Sequence, residues 1–394
     1  MKLQTKDEGK HDKHLTEMKK LKVMTIVGTR PEIIRLSRTM VLLDQHVDHL
    51  IVHTGQNYDY ELNEIFWDEL ELRQPDYFLN ADTSSLGATV GDIIKKSEDV
   101  LKKEKTDALL VLGDTNSCLS AYMAKRMHIP IFHMEAGNRC FDENVPEETN
   151  RRIIDHIADF NLVYTEHARR HLLSEGLPHR RIYLTGSPMK EVLDYYKPKI
   201  NSSDILDKLN LKSGEYFVVS IHREENVDNE DNLKKILAIL NKLAETYQHP
   251  VIISTHPRTR KRVEALDKLT TTSHKSLVFN KPFGFLDYIH LQQNAKCVIS
   301  DSGTISEESA ILDFPAISLR QSMERPEAQD TGTIVLTGFE LDVIFNSIEV
   351  AIKHSALNSR QVPIDYQATN TSWRVVKLIL GNTKLSNKWW GIKE

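Results

Sequence analysis

Three cysteines in 394 residues, Cys118, Cys140 and Cys297, are an odd number at wide spacings, which excludes a disulfide framework. No CxxC pair and no His-rich metal spacing accompanies them, so no metal is implied and a reducing, cytoplasmic setting is expected. No stretch approaches the roughly 18 apolar residues of a membrane span, and no membrane partner is expected. Neither sign of charge dominates: 51 Lys and Arg stand against 56 Asp and Glu, a net −5 that offers nucleic acid no basic field. The GxGxxG fingerprint and the Walker P-loop are both missing, so no nucleotide-type cofactor is implied. Residues 1–20 are polar and charged without an apolar core, which reads as a mobile extension rather than a secretion signal. There is no repeat at a fixed period and no low-complexity tract.

What is present is an ordinary soluble composition, 40% hydrophobic and 27% charged, sufficient for real cores. At about 150 residues per domain, this length suggests two or three domains. Short apolar, β-branched runs alternate with helical segments. Val23–Val27, Leu50–His53, Ala108–Leu112, Ile131–Phe132 and Asn161–Tyr164 form a first series. After a polar stretch, Tyr216–Ile221, Val251–Ser254, Ser276–Phe279, Cys297–Ser300 and Pro315–Leu319 form a second. Strands alternating with helices imply parallel sheets, and two doubly wound α/β domains with a cleft between them is the economical reading. The boundary is expected near residues 190 to 205.

Chemistry-bearing residues cluster where these strands end, which is where open parallel sheets bind ligands. Gly28-Thr29-Arg30-Pro31-Glu32 follows the first strand, with Pro31 suited to a first helical turn and Gly28 open to a ligand's approach. Gly113-Asp114-Thr115-Asn116-Ser117 follows another, and Asp114 reads either as a helix cap or as a working carboxylate. From His133 to Arg152 a loop gathers His133, Glu135, Arg139, Asp142, Glu143, Glu147, Glu148, Arg151 and Arg152. In the second half, His222-Arg223-Glu224-Glu225-Asn226 and Ser300-Asp301-Ser302-Gly303-Thr304 occupy equivalent places, followed by Glu307 and Glu308. A Ser-Gly-Thr turn opening a helix presents N–H groups to an anion, and a carboxylate one turn later suits ribose hydroxyls. Arg320 and Glu324-Arg325-Pro326-Glu327 add further charge at the same sheet edge. His156, His167 and His171 read as packed or surface histidines, and His133 as a group satisfying the backbone or serving the site.

In this order, Gly-Thr-Arg-Pro-Glu, Gly-Asp-Thr-Asn-Ser, His-Met-Glu-Ala-Gly, Pro-Glu-Glu-Thr-Asn-Arg, His-Arg-Glu-Glu-Asn, Ser-Asp-Ser-Gly and Glu-Arg-Pro-Glu resemble the non-hydrolysing UDP-N-acetylglucosamine 2-epimerases over roughly residues 22–385. The resemblance implies the two-Rossmann GT-B architecture: a first domain over 21–195, a UDP-binding domain over 196–365, and a C-terminal helix from about 366 returning to the first domain. It implies a UDP-sugar substrate and a homodimer. It also implies a reaction in which UDP leaves C1 as C2 loses its proton, a 2-acetamidoglycal stays bound, and UDP adds back after protonation on the other face. By motif position the catalytic set is Asp114, Glu135, Glu147 and His222. Arg30, Arg35, His256, Ser302, Gly303, Thr304, Glu308 and Arg325 form the binding set, Glu308 matching the ribose contact.

A finer likeness comes from Asn138-Arg139-Cys140-Phe141-Asp142, Tyr58-Asp59-Tyr60 and Thr185-Gly186-Ser187-Pro188-Met189. These resemble the UDP-N-acetyl-L-fucosamine synthase branch, which epimerises UDP-2-acetamido-2,6-dideoxy-β-L-talose for capsule or O-antigen precursors. Common bacterial glucosamine enzymes read Leu-Arg-Thr where this chain has Asn138-Arg139-Cys140, and Asp142 is a candidate substrate contact in the branch. Arg35 stands where the glucosamine enzymes carry lysine, and Thr304 where they carry a second glycine. The segment Gln56-Asn57-Tyr58-Asp59 departs from enzymes activated by a second UDP-sugar. The alternatives are a UDP-GlcNAc/UDP-ManNAc 2-epimerase, a GT-B glycosyltransferase needing an acceptor pocket, and a non-catalytic UDP-sugar sensor.

Overall fold

The run Ala-Leu-Leu-Val-Leu at 108–112 has no polar side because neither face of its strand meets water: all five residues are buried. That is the signature of a parallel sheet covered on both faces. The computed structural model describes residues 19–55, 64–255, 259–260, 262–263, 274–357 and 361–392. It contains two wholly parallel sheets, each layered between helices, in two Rossmann-like domains of GT-B type.

The first sheet runs β3-β2-β1-β4-β5-β6-β7. Its strands are β1 (Lys22–Val27), β2 (Asp48–His53), β3 (Tyr77–Phe78), β4 (Ala108–Leu112), β5 (Ile131–Ala136), β6 (Phe160–Val163) and β7 (Ile182–Leu184). The second runs β10-β9-β8-β11-β12-β13. It comprises β8 (Phe217–Ser220), β9 (Val251–Ser254), β10 (Leu277–Asn280), β11 (Cys297–Ser300), β12 (Ala316–Ser318) and β13 (Val335–Leu336). The strand order reverses between β1 and β4 and again between β8 and β11. At such switch points the following loops diverge and leave a crevice. The loops after β1 and β4 carry Arg30 and Asp114, and those after β8 and β11 carry His222 and Ser302.

Two expectations change. Strand β5 continues through His133, Met134, Glu135 and Ala136 rather than ending at Phe132, so His133 and Glu135 are strand residues and not loop residues. Further along, Pro146–Ile157 is helical, with Pro146 at its opening turn. The N-terminal extension read over 1–20 lies almost wholly outside the described residues, since only Lys19 and Lys20 are within them.

The chain crosses between domains twice. Helix Met189–Asn201 buries Met189, Val192, Leu193, Tyr196 and Ile200 in the first domain's core before leading to the second sheet. Residues beyond Pro363 bring it back, and helix Thr371–Trp389 packs on helix Arg30–His46 with Val375, Val376 and Ile379 fully buried in that same core. The crossings lie side by side. The Ser187 N–H donates to the Asp365 carbonyl at 3.0 Å, and the Thr371 hydroxyl reaches the carbonyls of Thr185 and Ser187 at 3.2 Å. Gly186 permits this: its φ is +78°, and a Cβ there would lie 2.6 Å from the Ala368 methyl carbon. At the far end, Arg181 stacks 3.8 Å from the Trp390 ring centroid, and the Trp390 indole donates to Asp159 at 2.5 Å.

The returning helix is therefore part of the first domain's core. Ile379→Ala should cost about 2–5 kcal/mol, the range for deleting a large aliphatic side chain from a packed core. A urea midpoint unchanged from wild type would show that the helix lies outside the first domain's cooperative unit.

Candidate active site

Each wall of the cleft is built by a buried carboxylate that serves as scaffold. On the first domain this is Glu32, 1% exposed. It reaches back from the first turn of helix Arg30–His46 and accepts the N–H groups of Gly28 at 2.6 Å and Thr29 at 2.7 Å. Its other oxygen takes the hydroxyls of Thr115 at 2.8 Å and of Ser117. One side chain thus fastens the loop after β1 to the loop after β4, and with it the relative position of Arg30 and Asp114. Gly28 is consumed by this contact and lines no part of the cleft.

On the second domain the scaffold is Asp301, fully buried at the end of β11. It accepts the backbone N–H of His222 at 3.1 Å, that of Arg223 at 3.0 Å and the Asn226 amide at 2.9 Å, while His222 Nδ1 lies 3.2 Å away. Burial alone would push the Asp301 carboxyl up; His222, Asn226 and the Arg223 N–H outweigh it and hold it at about 2. An ionised Asp301 on Nδ1 orients the imidazole and leaves Nε2 as the group available to the cleft. Beside it, the Ser302-Gly303-Thr304 turn opens helix Ile305–Leu312. A Cβ on Gly303 would stand 2.5 Å from a Glu324 oxygen, so the turn can approach that carboxylate only with glycine there. Glu324 is itself held by Arg320 at 2.6 Å and Arg223 at 3.0 Å.

Between these walls is a chamber of about 340 Å³. Arg35, Asp114, Glu135, Glu147, His222, the Ser302–Thr304 turn and Arg325 all border it. A narrower annex of about 70 Å³ continues past Arg30, Phe66, Phe283, Phe285, Tyr288 and Glu308. Arg30 lies over the Phe66 ring at 5.6 Å, and Glu308 accepts the Gln292 amide at 3.0 Å while burial raises its pKa above the ordinary carboxylate value. Polar chamber and aromatic annex meet at His222 and Ser302, which border both. An elongated ligand, ionic at one end and flat at the other, fits this shape.

Five carboxylates border the chamber; Glu32 and Glu324 serve as scaffold, and the other three differ sharply in company. Asp114 accepts both Nε and Nη2 of Arg151, at 3.0 and 2.6 Å. Glu135 sits on a β-bulge between Met134 and Ala136 with φ of +65°, a left-handed conformation uncommon outside glycine and concentrated at functional sites. The bulge aims its carboxylate at Arg35 and at Arg325, 2.6 Å away, and Asn138 donates to it at 3.3 Å. Glu147 makes no ion pair with the described residues; burial first, then the charge of Asp114, raises its pKa above the ordinary 4.5.

Other sequence expectations resolve differently. His133 donates through Nε2 to the Gly113 carbonyl at 2.8 Å, and its Nδ1 lies 3.0 Å from Asp155, a buried link beneath the site. Asp142 bonds Ser322 across the cleft at 3.0 Å and does not border the chamber. His156 and His167 meet Glu175 and Asp330 near the surface, and His171 meets the Gly137 carbonyl. His256 and the Gln56–Asp59 segment lie outside the described residues. Glu32, Arg151 and Asp301 were given no role from sequence, although each sits inside a motif. Their signal was available in position: Arg151 lies one helical turn after Glu147, and Asp301 precedes the Ser-Gly turn.

Comparison with known proteins follows the same lines. Residues 41–380 match the family profile described as UDP-N-acetylglucosamine 2-epimerase. A structure of UDP-N-acetylglucosamine 2-epimerase from Rickettsia bellii is 46% identical, with a TM-score of 0.87 over 94% of this chain and 100% of that one. The Methanocaldococcus jannaschii UDP-GlcNAc 2-epimerase in complex with UDP-GlcNAc and UDP superposes with a TM-score of 0.85 at 34% identity, covering 91% and 99% of the two chains. UDP-2,3-diacetamido-2,3-dideoxy-D-glucuronate 2-epimerase of Pseudomonas aeruginosa is 33% identical over 84% of this chain and 92% of its own.

The isolation of Glu147 has a thermodynamic consequence. Its folded-state pKa lies above 4.5, so at higher pH the folded protein carries a carboxylate that burial and Asp114 disfavour. Glu147→Gln should therefore melt at a higher temperature than wild type at pH 7. The difference should vanish as pH falls below 4.5, where both folded and unfolded glutamates are protonated. A lower melting temperature at pH 7 would contradict this account of the site.

Proposed function

The chain belongs to the UDP-N-acetylglucosamine 2-epimerase family, a family of isomerases, and from that premise we propose that it inverts C2 of a UDP-N-acetylhexosamine by eliminating UDP and adding it back. The observation that carries this reading is the meeting of Asp114, Glu135 and Glu147 with His222 and the Ser302–Thr304 turn in one chamber. C2 of such a sugar is not flanked by a carbonyl, so its carbanion has no stabilisation. Elimination avoids the carbanion. As a carboxylate takes the C2 proton, the C2–H electron pair becomes the C1=C2 bond, and the C1–O pair leaves with UDP. Protonation of the glycal at C2 from the opposite face and attack of the diphosphate oxygen on C1 complete the inversion.

Glu135, facing two guanidiniums, is assigned the ionised role that takes the proton in one direction. Glu147, unpaired and with a raised pKa, is assigned the protonated role on the other face; in reverse the two exchange. His222, Arg30 and the Ser302–Thr304 turn are aimed at the diphosphate, where negative charge grows as C1–O breaks. The annex takes the nucleoside, with its aromatic side chains on the base and Glu308 on the ribose.

The sugar is proposed to be UDP-2-acetamido-2,6-dideoxy-β-L-talose, the product being UDP-N-acetyl-L-fucosamine, a precursor for capsule or O-antigen polysaccharide. Support comes from Asn138, whose amide touches Glu135 at 3.3 Å in the loop that resembles the fucosamine branch. UDP-GlcNAc is the second reading, favoured by the names of the Rickettsia and Methanocaldococcus relatives. NMR of the protein with each UDP-sugar and no acceptor decides between them, and also against a glycosyltransferase or a sensor.

In D₂O, product should carry deuterium at C2, because the proton delivered on the opposite face comes from a second carboxyl that has exchanged with solvent, not from the group that took the original proton. Product without deuterium would sink the elimination reading. Glu147→Gln should turn over at least about 100-fold more slowly with an intact fold. Glu308→Ala should weaken UDP binding by about 1.5–3 kcal/mol, the range for a hydrogen bond to a charged group; calorimetry showing unchanged affinity would remove Glu308 from the ribose.

A further inference from the structure

Four side chains at the base of the cleft close into a ring that neither domain can form alone. Arg35 donates through Nη1 to Glu135 and through Nη2 to Glu307 at 2.5 Å. Arg325 donates through Nη2 to Glu135 at 2.6 Å, and its Nη1 lies 3.1 Å from Glu307. Arg35 and Glu135 belong to the first domain, Glu307 and Arg325 to the second, so two of the four contacts span the cleft. Each guanidinium bridges both carboxylates, as only a planar fork can. Formal charge in the ring sums to zero. The side chains are 2%, 14%, 0% and 3% exposed in the order Arg35, Glu135, Glu307, Arg325. Around them stand the Tyr164 ring, 5.8 Å from the Arg35 guanidinium, the Asn138 amide on Glu135, and the hydrogen-bonded pair of Tyr366 and Glu327 on the Arg325 side. Arg35, Glu135 and Arg325 border the chamber; Glu307 does not.

Glu307 is thus a buried carboxylate that borders neither cavity and, among the described residues, is paired only with the two cations that hold a reacting carboxylate. We propose that Glu307 is a positioning residue for proton transfer at C2: it divides the hold of Arg35 and Arg325 so that Glu135 stays aimed and basic, and it does so only when the domains are closed on one another. Without its charge, two guanidiniums face Glu135 alone. The ring then carries a net positive charge, the Glu135 carboxylate is bound more tightly, and a more acidic carboxyl is a weaker base. Opening the cleft breaks the same ring, so Glu135 is set for proton abstraction only in the closed form. The proposal rests on the reading of the chain as a C2 epimerase with Glu135 at the proton.

The test is C2–H exchange in D₂O as a function of pH for Glu307→Gln, alongside calorimetry with UDP. Expected are exchange slowed by about 10-fold or more at pH 7, an acid limb moved to lower pH or out of range, and UDP affinity not weakened. Three results overturn the proposal: exchange within about twofold of wild type, a loss equal at every pH with the limb in place, or a parallel loss of UDP affinity. Should the glutamine protein not fold, Glu307→Asp decides. It keeps the charge on a shorter arm, so exchange should slow with the limb unmoved, and wild-type exchange would overturn the proposal. A wild-type protein that exchanges C2 of neither UDP-sugar would instead remove the epimerase reading on which this rests.

Discussion

The geometry of this protein depends on one constraint of parallel sheets. Strands that all point the same way deliver every following loop to one edge, and where the winding reverses, two loops part and leave space. This chain places the two reversals, β1/β4 and β8/β11, opposite each other. The cleft's ionic groups lie on those loops and the helices they open, on the bulged end of β5 with the helix that follows it, and on the loop after β12. Apart from Glu135 on the bulge of β5, the sheets contribute rigidity, through strands such as β4 with no polar side.

A cleft so rich in buried charge is tolerable only because its ions are paired, since burying an unpaired ion costs far more than a hydrogen bond returns. Glu32 collects N–H and hydroxyl donors, Asp301 collects amides and an imidazole, and Glu324 collects two guanidiniums. Glu147 has neither such a set of donors nor an ion pair among the described residues. It is half-buried, and burial together with the charge of Asp114 raises its pKa.

The central strands were legible because a strand buried on both faces must be apolar throughout. The edge strands β3, β7 and β13 were not, because two or three residues with one side toward solvent leave no pattern to read. Asp114, Glu135, Glu147 and His222 could be named as candidates in advance because the family resemblance implied them by motif position, and the structure brings them to one chamber. Their partners could not: Arg35 and Glu307 are 272 residues apart in sequence, and no local spacing announces that they touch. The bulge at Glu135 was equally hidden. His-Met-Glu-Ala reads as the end of a strand or the start of a loop, and only the register of β5 against β6 reveals the turned residue. Periodicity reports what a segment does with water, and it is silent on what meets across a cleft.

The paired crossings near Gly186 and Asp365 have a mechanical consequence. A single linker is a ball joint, leaving one body free to swing and to spin relative to the other. Two chains bound side by side act as a pair of pins on a door. Spin about the connecting line would shear the bonds from Ser187 to Asp365 and from Thr371 to Thr185, whereas folding across that line leaves them intact. Relative movement is thereby reduced toward one degree of freedom, and each return stroke brings the same faces back into register without any search.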